Sequence, residues 1–240
     1  MALLLALLGS AAPVESGAAH VPELREADRA RGNLDGVTWE VALASRDGDR
    51  TSELTVAVRA RGYDFLGETL APAKYEGRKL LMMSGTMWFY RPGLSKPVPI
   101  AKRQRLLGQA AYGDIAATDY ADEYDAVLVG EEVYEGEPCR VFDLTARDKT
   151  PTYDRIRYWI SSERGVGIHA EYFTVSGKVI KTATMEYEHT AVRGTNRHPF
   201  ISRIEITDAL DADAVTTMVF GEPEFTELPD HVFNLNLLGR

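Results

Sequence analysis

The chain has 240 residues, 45% of them apolar and 26% charged, with a formal net charge of -9. That is ordinary globular composition, long enough for one large domain with a sizeable core. The acidic balance excludes nucleic acid as a partner, because a phosphate lattice needs a concentrated basic face and only Lys102, Arg103 and Arg105 cluster in this way.

The first twenty residues, MALLLALLGSAAPVESGAAH, hold an apolar run from Ala2 to Leu8 followed by small residues suited to cleavage near Ala12, Ala18 or Ala19. This reads as a signal peptide over residues 1–19, although no Lys or Arg precedes the run. The run is too short to span a bilayer, which takes about 20 apolar residues. No cysteine follows it, so no lipid anchor is expected at this N-terminus. Export into a soluble extracytoplasmic space is the expectation, with residues 20–240 as a single domain.

VPELREADRARG predicts a helix. Pro22 suits its first position, Glu23 and Glu26 lie toward the positive end, Arg29 and Arg31 toward the negative end, and Gly32 can terminate it. Beyond it the apolar period becomes twofold. Val37, Trp39, Val41 and Leu43 alternate with polar or small residues, DGD turns the chain, and Leu54, Val56, Val58 and Ala60 continue the same greasy face. RKLLMMS and TMWFYRP form a second hairpin about Ser84 and Gly85. DAVLVGEEVYEGEPCRVFDLTA folds back at Glu135 and Gly136. RIRYWISS, GIHAEYFT, VIKTATMEYEHTAV, FISRIEITDA and DAVTTMVFGEPEF supply the rest, for about ten strands joined by hairpin-sized links. The second exception to the strand pattern is Ala110 to Tyr124, AAYGDIAATDYADEY, where Tyr112, Ile115 and Ala116 allow a helix or helical turns. The fold expected is mainly β: a large antiparallel sheet that must curl or close, with short helices over its hydrophobic concave face.

Catalytic and metal signatures are missing. Cys139 stands alone, which excludes an internal disulfide and multi-cysteine metal sites, and reads as a buried thiol. His20, His169, His189, His198 and His231 form no HExxH pattern. GVGIHA matches a dinucleotide-binding pattern only formally, since it enters a strand rather than a helix. DALDADA lacks the glycine and closing glutamate of a calcium loop, and Pro97 in GLSKP stands where a nucleophile elbow needs glycine. No catalytic residue, metal or cofactor is therefore expected.

What remains is a greasy sheet face with many large side chains, among them Phe65, Met82 and Ile160. Two short helices cannot fill the concave side of so large a sheet, so an apolar cavity is expected. Its lining is assigned to Trp39, Leu54, Val56, Met83, Trp88, Tyr90, Tyr158 and Tyr172. Such a wall suits acyl chains, whose burial is worth about 0.8 kcal/mol per methylene.

READRARG, the stretch MWFYRPGLSKPVPIAKRQRLLGQAAYGDIAATDY, the stretch YWISSERGVGIHAEYFTVSGKVIKT and the closing ELPDHVFNLNLL together resemble the outer-membrane lipoprotein-sorting proteins, relatives of the periplasmic carriers LolA and LolB. The resemblance implies a half barrel around a hydrophobic cavity lidded by helices, and a non-enzymatic carrier of lipoprotein or acylated lipid cargo, with an RND-type or ABC inner-membrane exporter as a candidate partner and peripheral contact with a membrane. It further implies Lys102, Arg103 and Arg105 at the cavity rim facing lipid headgroups, and Tyr112 and Ile115 in the lid. The alternatives are a lipid-modifying enzyme using Tyr and Asp/Glu pairs at the rim, or an exporter-associated accessory module whose groove takes a partner segment.

Overall fold

The structure, a computed structural model, describes residues 20–239, so the expected signal peptide lies outside the described residues. The helix α1 (Val21–Ala30) forms where the sequence signals it, with proline in its first turn and Arg29 in its last. Leu24, Ala27 and Asp28, at i, i+3 and i+4, are buried together on one face, so the stripe that seats α1 contains a carboxylate.

The strands are β1 (Val37–Asp47), β2 (Arg50–Arg61), β3 (Asp64–Ala71), β4 (Lys79–Met83), β5 (Thr86–Tyr90) and β6 (Val98–Ile100) in the first half. A short pair follows, β7 (Arg105–Leu107) with β8 (Ala110–Ala111), and then a single helical turn, α2 (Tyr120–Glu123). The second half holds β9 (Tyr124–Tyr134), β10 (Glu137–Ala146), β11 (Arg155–Ser161), β12 (Gly167–Phe173), β13 (Val179–Glu186), β14 (His189–Arg193), β15 (Asn196–Phe200), β16 (Arg203–Asp208), β17 (Val215–Phe220) and β18 (Glu224–Phe225). The helix expected between 110 and 124 is therefore confined to α2 and one 3-10 turn at Tyr112–Asp114.

One antiparallel sheet has the order β6-β5-β4-β3-β2-β1-β17-β16-β13-β12-β11-β10-β9, and β18 adds to the start of β1. Chain neighbours pair along this path except at two joins. β1 pairs β17, bringing the start and end of the chain together, and β13 pairs β16 because β14 and β15 leave as a hairpin of their own. The end strands β6 and β9 do not pair with each other, so the sheet stays open rather than closing into a barrel. Pro99 sits in β6, at the edge where a missing N–H costs no ladder bond.

Period-two alternation decides the faces. Trp39, Val41 and Leu43 of β1, Leu54, Val56 and Val58 of β2, Tyr158 of β11, Tyr172 of β12, Met185 of β13 and Met218 of β17 share one cluster with Leu24 and Ala27 of α1. This concave side is the core. The close approach of Gly167 to the Tyr158 ring is part of its wall: a Cβ there would stand 1.8 Å from the Tyr158 hydroxyl oxygen and 2.0 Å from the ring carbon bearing it. Gly167→Ala should accordingly cost about 1–3 kcal/mol through overpacking; an unchanged urea midpoint would show that the ring can move aside.

The other face carries a second apolar patch, and here the structure corrects the sequence reading. In the β4–β5 pairing Leu81 faces Trp88 and Lys79 faces Tyr90. Met83, Trp88 and Tyr90 therefore point away from the concave side. They pack with Leu66 and Leu81 under Leu228, Phe233 and Leu238 of the C-terminal segment. Arg61 ties that segment down by donating to the Leu228 carbonyl at 3.0 Å and to Asp230 at 2.8 Å. Leu80, Met82, Met87 and Phe89 take the concave positions instead.

Candidate ligand site beneath the lid

Residues 101–123 cross the concave face as a lid. The turn of the β7–β8 pair rests on the sheet at Gly108, whose φ is +50° and where a Cβ would meet the Ser45 hydroxyl at 2.0 Å and the Thr216 hydroxyl at 2.3 Å. Only glycine lets the chain lie that close in that conformation, and the backbone N–H of Gln109 then donates to Thr216 Oγ1 at 2.7 Å.

The underside of the lid is apolar and mostly small: Ile115, Ala116, Ala117, Tyr120 and Ala121 join the core cluster. Its borders are polar. The Ala121 N–H donates to Asp28 Oδ2 at 3.0 Å, Asn33 Nδ2 donates to the Thr118 carbonyl at 2.9 Å, and Arg31 donates to the Tyr120 hydroxyl at 3.2 Å. At the outer end Arg25 meets Asp122 at 2.7 Å and Arg147 donates to the Asp122 carbonyl at 2.7 Å. A cleft of about 300 Å³, lined by residues that include Arg25, Asp28, Asn33, Gly62 and Asp119, follows the seam between α1 and the lid.

Under the lid the phenols gather. Tyr153 stacks on Tyr172 at 3.9 Å, and Tyr120 meets Tyr124 and Tyr158 edge-on at 5.3 and 5.4 Å. Burial pushes the pKa values of Tyr120, Tyr124, Tyr153, Tyr158 and Tyr172 upward, which keeps them neutral hydrogen-bonding groups. Among them lie charged groups that sequence reasoning missed. Asp114 accepts the Tyr153 hydroxyl at 2.8 Å and the Ala111 N–H at 2.7 Å. Lys181 donates to the Gln109 carbonyl at 2.6 Å and stands 3.7 Å from Asp114 Oδ2. Burial pushes the Lys181 ammonium below its ordinary range against the pull of Asp114. Burial likewise drives the Asp28 carboxyl from 3.8 up to about 7, opposed by the backbone N–H groups of Ala121 and Tyr120. The signal was legible for two of these: Lys181 stands on the inward parity with Ala183 and Met185, and Asp28 shares the apolar stripe of α1.

The predicted site residues thus divide. Trp39, Leu54, Val56, Tyr158 and Tyr172 lie together on the concave face, buried, and Ile115 is on the lid facing them. Tyr112 is on the lid, half-buried, 6.5 Å from the Phe89 ring. Met83, Trp88 and Tyr90 are on the opposite face. The space expected to stay open as a cavity is taken by the lid, because the loop before α2 covers the sheet along with the two helices. The basic run is not a row of free cations either. Lys102, only 3% exposed, pairs with Glu123 and donates to the Tyr63 hydroxyl at 2.9 Å. Arg103 donates to Asp154 and to the carbonyls of Lys149 and Pro151, all at 3.2 Å. These two fasten the base of the lid; Arg105 alone of the three is exposed without such ties among the contacts described. Among the described residues no group of three or more His, Cys, Asp or Glu could hold a metal ion, and no helix is long and apolar enough to cross a membrane.

An open antiparallel sheet with its concave face under a lid of helical turns has close counterparts among solved structures. A LolA superfamily protein from Nitrosomonas europaea superposes with a TM-score of 0.79 at 27% identity, over 92% of this chain and 99% of that one. The chain has the LolA-like fold. A family model described as "Uncharacterized protein" matches residues 63–240, and the chain belongs to that family. The same fold occurs in a Vibrio parahaemolyticus protein described as an outer membrane lipoprotein-sorting protein domain, with a TM-score of 0.78 at 16% identity over 92% of this chain and 98% of that one. It occurs again in a DUF1329 family protein from Desulfovibrio piger, with a TM-score of 0.75 at 18% identity and the same coverage of 92% and 98%. No curated protein matches the LolA-like chain in sequence.

Proposed function

We propose that this LolA-like chain is a soluble periplasmic carrier that takes the acyl chains of a lipoprotein or related lipid between the sheet and the lid and moves them toward the outer membrane. The observation that carries this reading is the division of the lid into an apolar underside and a polar border. Hydrogen bonds and ion pairs can exchange with water when a lid lifts, at a net cost of about 0.5–1.5 kcal/mol each. The apolar trough then exposed by Trp39, Val56, Tyr158 and Tyr172 is unfavourable in water until a chain fills it. The resemblance to lipoprotein-sorting proteins supports cargo of that class, and an inner-membrane exporter fits as the donor.

Native mass spectrometry of the protein recovered from the periplasm of a Gram-negative host tests the reading. A carrier should retain acyl lipid at one per chain and release it unchanged to acceptor vesicles. Hydrolysed or transferred lipid would make the protein an enzyme, and failure to take up any acyl lipid would exclude the carrier.

A further inference from the structure

We propose that Lys181 is the receptor for an anionic head carried on the acyl ligand, the ligand's phosphate or carboxylate taking the place of the Asp114 carboxylate when the lid lifts. This rests on the carrier reading above and adds the chemical class of the ligand.

Lys181 sits on β13 where the alternation calls for an apolar side chain, in the row that continues with Ala183 and Met185. Its polar partners both belong to the lid: the Gln109 carbonyl in the β7–β8 turn at 2.6 Å, and Asp114 at 3.7 Å. The rest of its surroundings offers ring faces, Tyr153 at 4.7 Å and Tyr172 at 5.8 Å from the ammonium. Lifting the lid therefore removes both oxygens at once and leaves the cation against the rings, with Asp208 of β16 as the carboxylate that still acts on it from the sheet. A charge in that position is costly unless paired. A neutral ester or alcohol restores hydrogen bonding but not charge, whereas an anionic head restores both.

Such a head would lie at one end of the trough. Lys181 is cross-strand from Tyr172 on one side and Asp208 on the other, near the ends of β12, β13 and β16. Inward along the same strands the facing pair is Ala170 and Ala183, whose small side chains leave width for a chain leading away from the head.

Calorimetric titration of the whole chain with dodecyl phosphate below its micelle concentration, dodecanol and inorganic phosphate tests this. The parent should bind dodecyl phosphate at least tenfold more tightly than dodecanol, and inorganic phosphate should not compete at equal concentration. Lys181→Met should bring the two dodecyl ligands within about twofold of each other. Asp114→Asn removes the competing carboxylate but keeps one oxygen to accept from Ala111 or Tyr153, and should tighten both dodecyl ligands severalfold while keeping the tenfold preference for dodecyl phosphate. Equal binding of the two dodecyl ligands by the parent, or a tenfold preference surviving in Lys181→Met, overturns the inference and leaves the carrier intact. Inorganic phosphate binding as tightly as dodecyl phosphate would make this a free-anion site and overturn it as well. If neither dodecyl ligand binds the parent, the carrier reading falls and this inference with it. The parent comparison and Asp114→Asn decide the matter even where Lys181→Met fails to fold.

Discussion

Lys102→Gln should cost the fold about 3 kcal/mol, whereas Arg103→Gln, a few ångströms along the same basic run, should cost about 1 kcal/mol or less. Composition alone would treat the two as equivalent surface cations. The Lys102 ammonium is buried between Glu123 at the end of α2 and the hydroxyl of Tyr63 just before β3, so it joins the far end of the lid to the sheet. Removing one partner of a buried pair strands the other without its counter-charge, and that desolvation exceeds what the pair gained by forming. Arg103 spreads its contacts over Asp154 and two carbonyls at the surface, where water replaces them. Urea unfolding of each single variant, of Glu123→Gln and of the double variant Lys102→Gln/Glu123→Gln measures the coupling directly. A coupling near zero, or a Lys102→Gln midpoint indistinguishable from the parent, would mean that the pair opens to water in solution.

Asp28→Asn should make the protein progressively more stable than the parent as pH rises from about 4 to about 7, by a few kcal/mol at the upper end. The sign follows from proton counts. The folded carboxyl titrates near 7 and the unfolded one near 3.8, so between those values the folded chain holds the extra proton and loses stability with each increment of pH. Below 4 both states are protonated and the group contributes no pH dependence. Above 7 the full desolvation penalty is present. Asp119 shifts the same way, to about 6, through burial first and then through Asp122 and Glu123, but it is half open to solvent and its share is smaller. Asn keeps an oxygen for the Ala121 N–H, so the tie to the lid survives while the titration disappears. Denaturation of parent and variant at pH 5 and pH 8 isolates the residue, since other groups cancel in the difference. A difference that does not change with pH would place Asp28 in contact with water. Because Asp28 lines the seam between α1 and the lid, the same titration should loosen the lid at alkaline pH in the parent alone, visible as faster amide exchange at Ala121.

The charges that matter in this protein are consequently few and central. Exposed pairs such as Arg25–Asp122 and Arg164–Glu137 are solvated and contribute little. Asp28, Asp114, Lys102 and Lys181 are buried, and all four touch the lid or belong to it. A lid held by buried polar groups has a defined closed position, and the same groups set what must be supplied before it opens.

Much of the architecture follows from local chemistry in the sequence. Twofold alternation in β1 and β2, the turn residues at Gly48, Gly85 and Gly136, and the cap signals around Pro22 and Arg29 act within a few residues of one another, so strands, hairpins and α1 are legible without a partner in space. The mainly β, antiparallel character follows too, since so many hairpin-linked strands make a large sheet that must curl or close; that it stays open is decided by the end strands β6 and β9, which do not pair. The strand β3, interrupted by Gly67 and Glu68, was not legible, because its alternation is short and mixed. The faces of β4 and β5 were not legible either. LLMM and MWFY are apolar at both parities, so alternation carries no information there, and only the docking of Leu228, Phe233 and Leu238 from the far end of the chain decides that Met83, Trp88 and Tyr90 lie outside the concave side. Tertiary structure also decided the fate of the basic run, since whether a lysine is solvated or buried depends on Glu123 and Tyr63, groups brought to it by α2 and the sheet. The ligand site is of the same kind: Asp28, Asp114 and Lys181 stand far apart in sequence, and their meaning comes from the lid that closes over them.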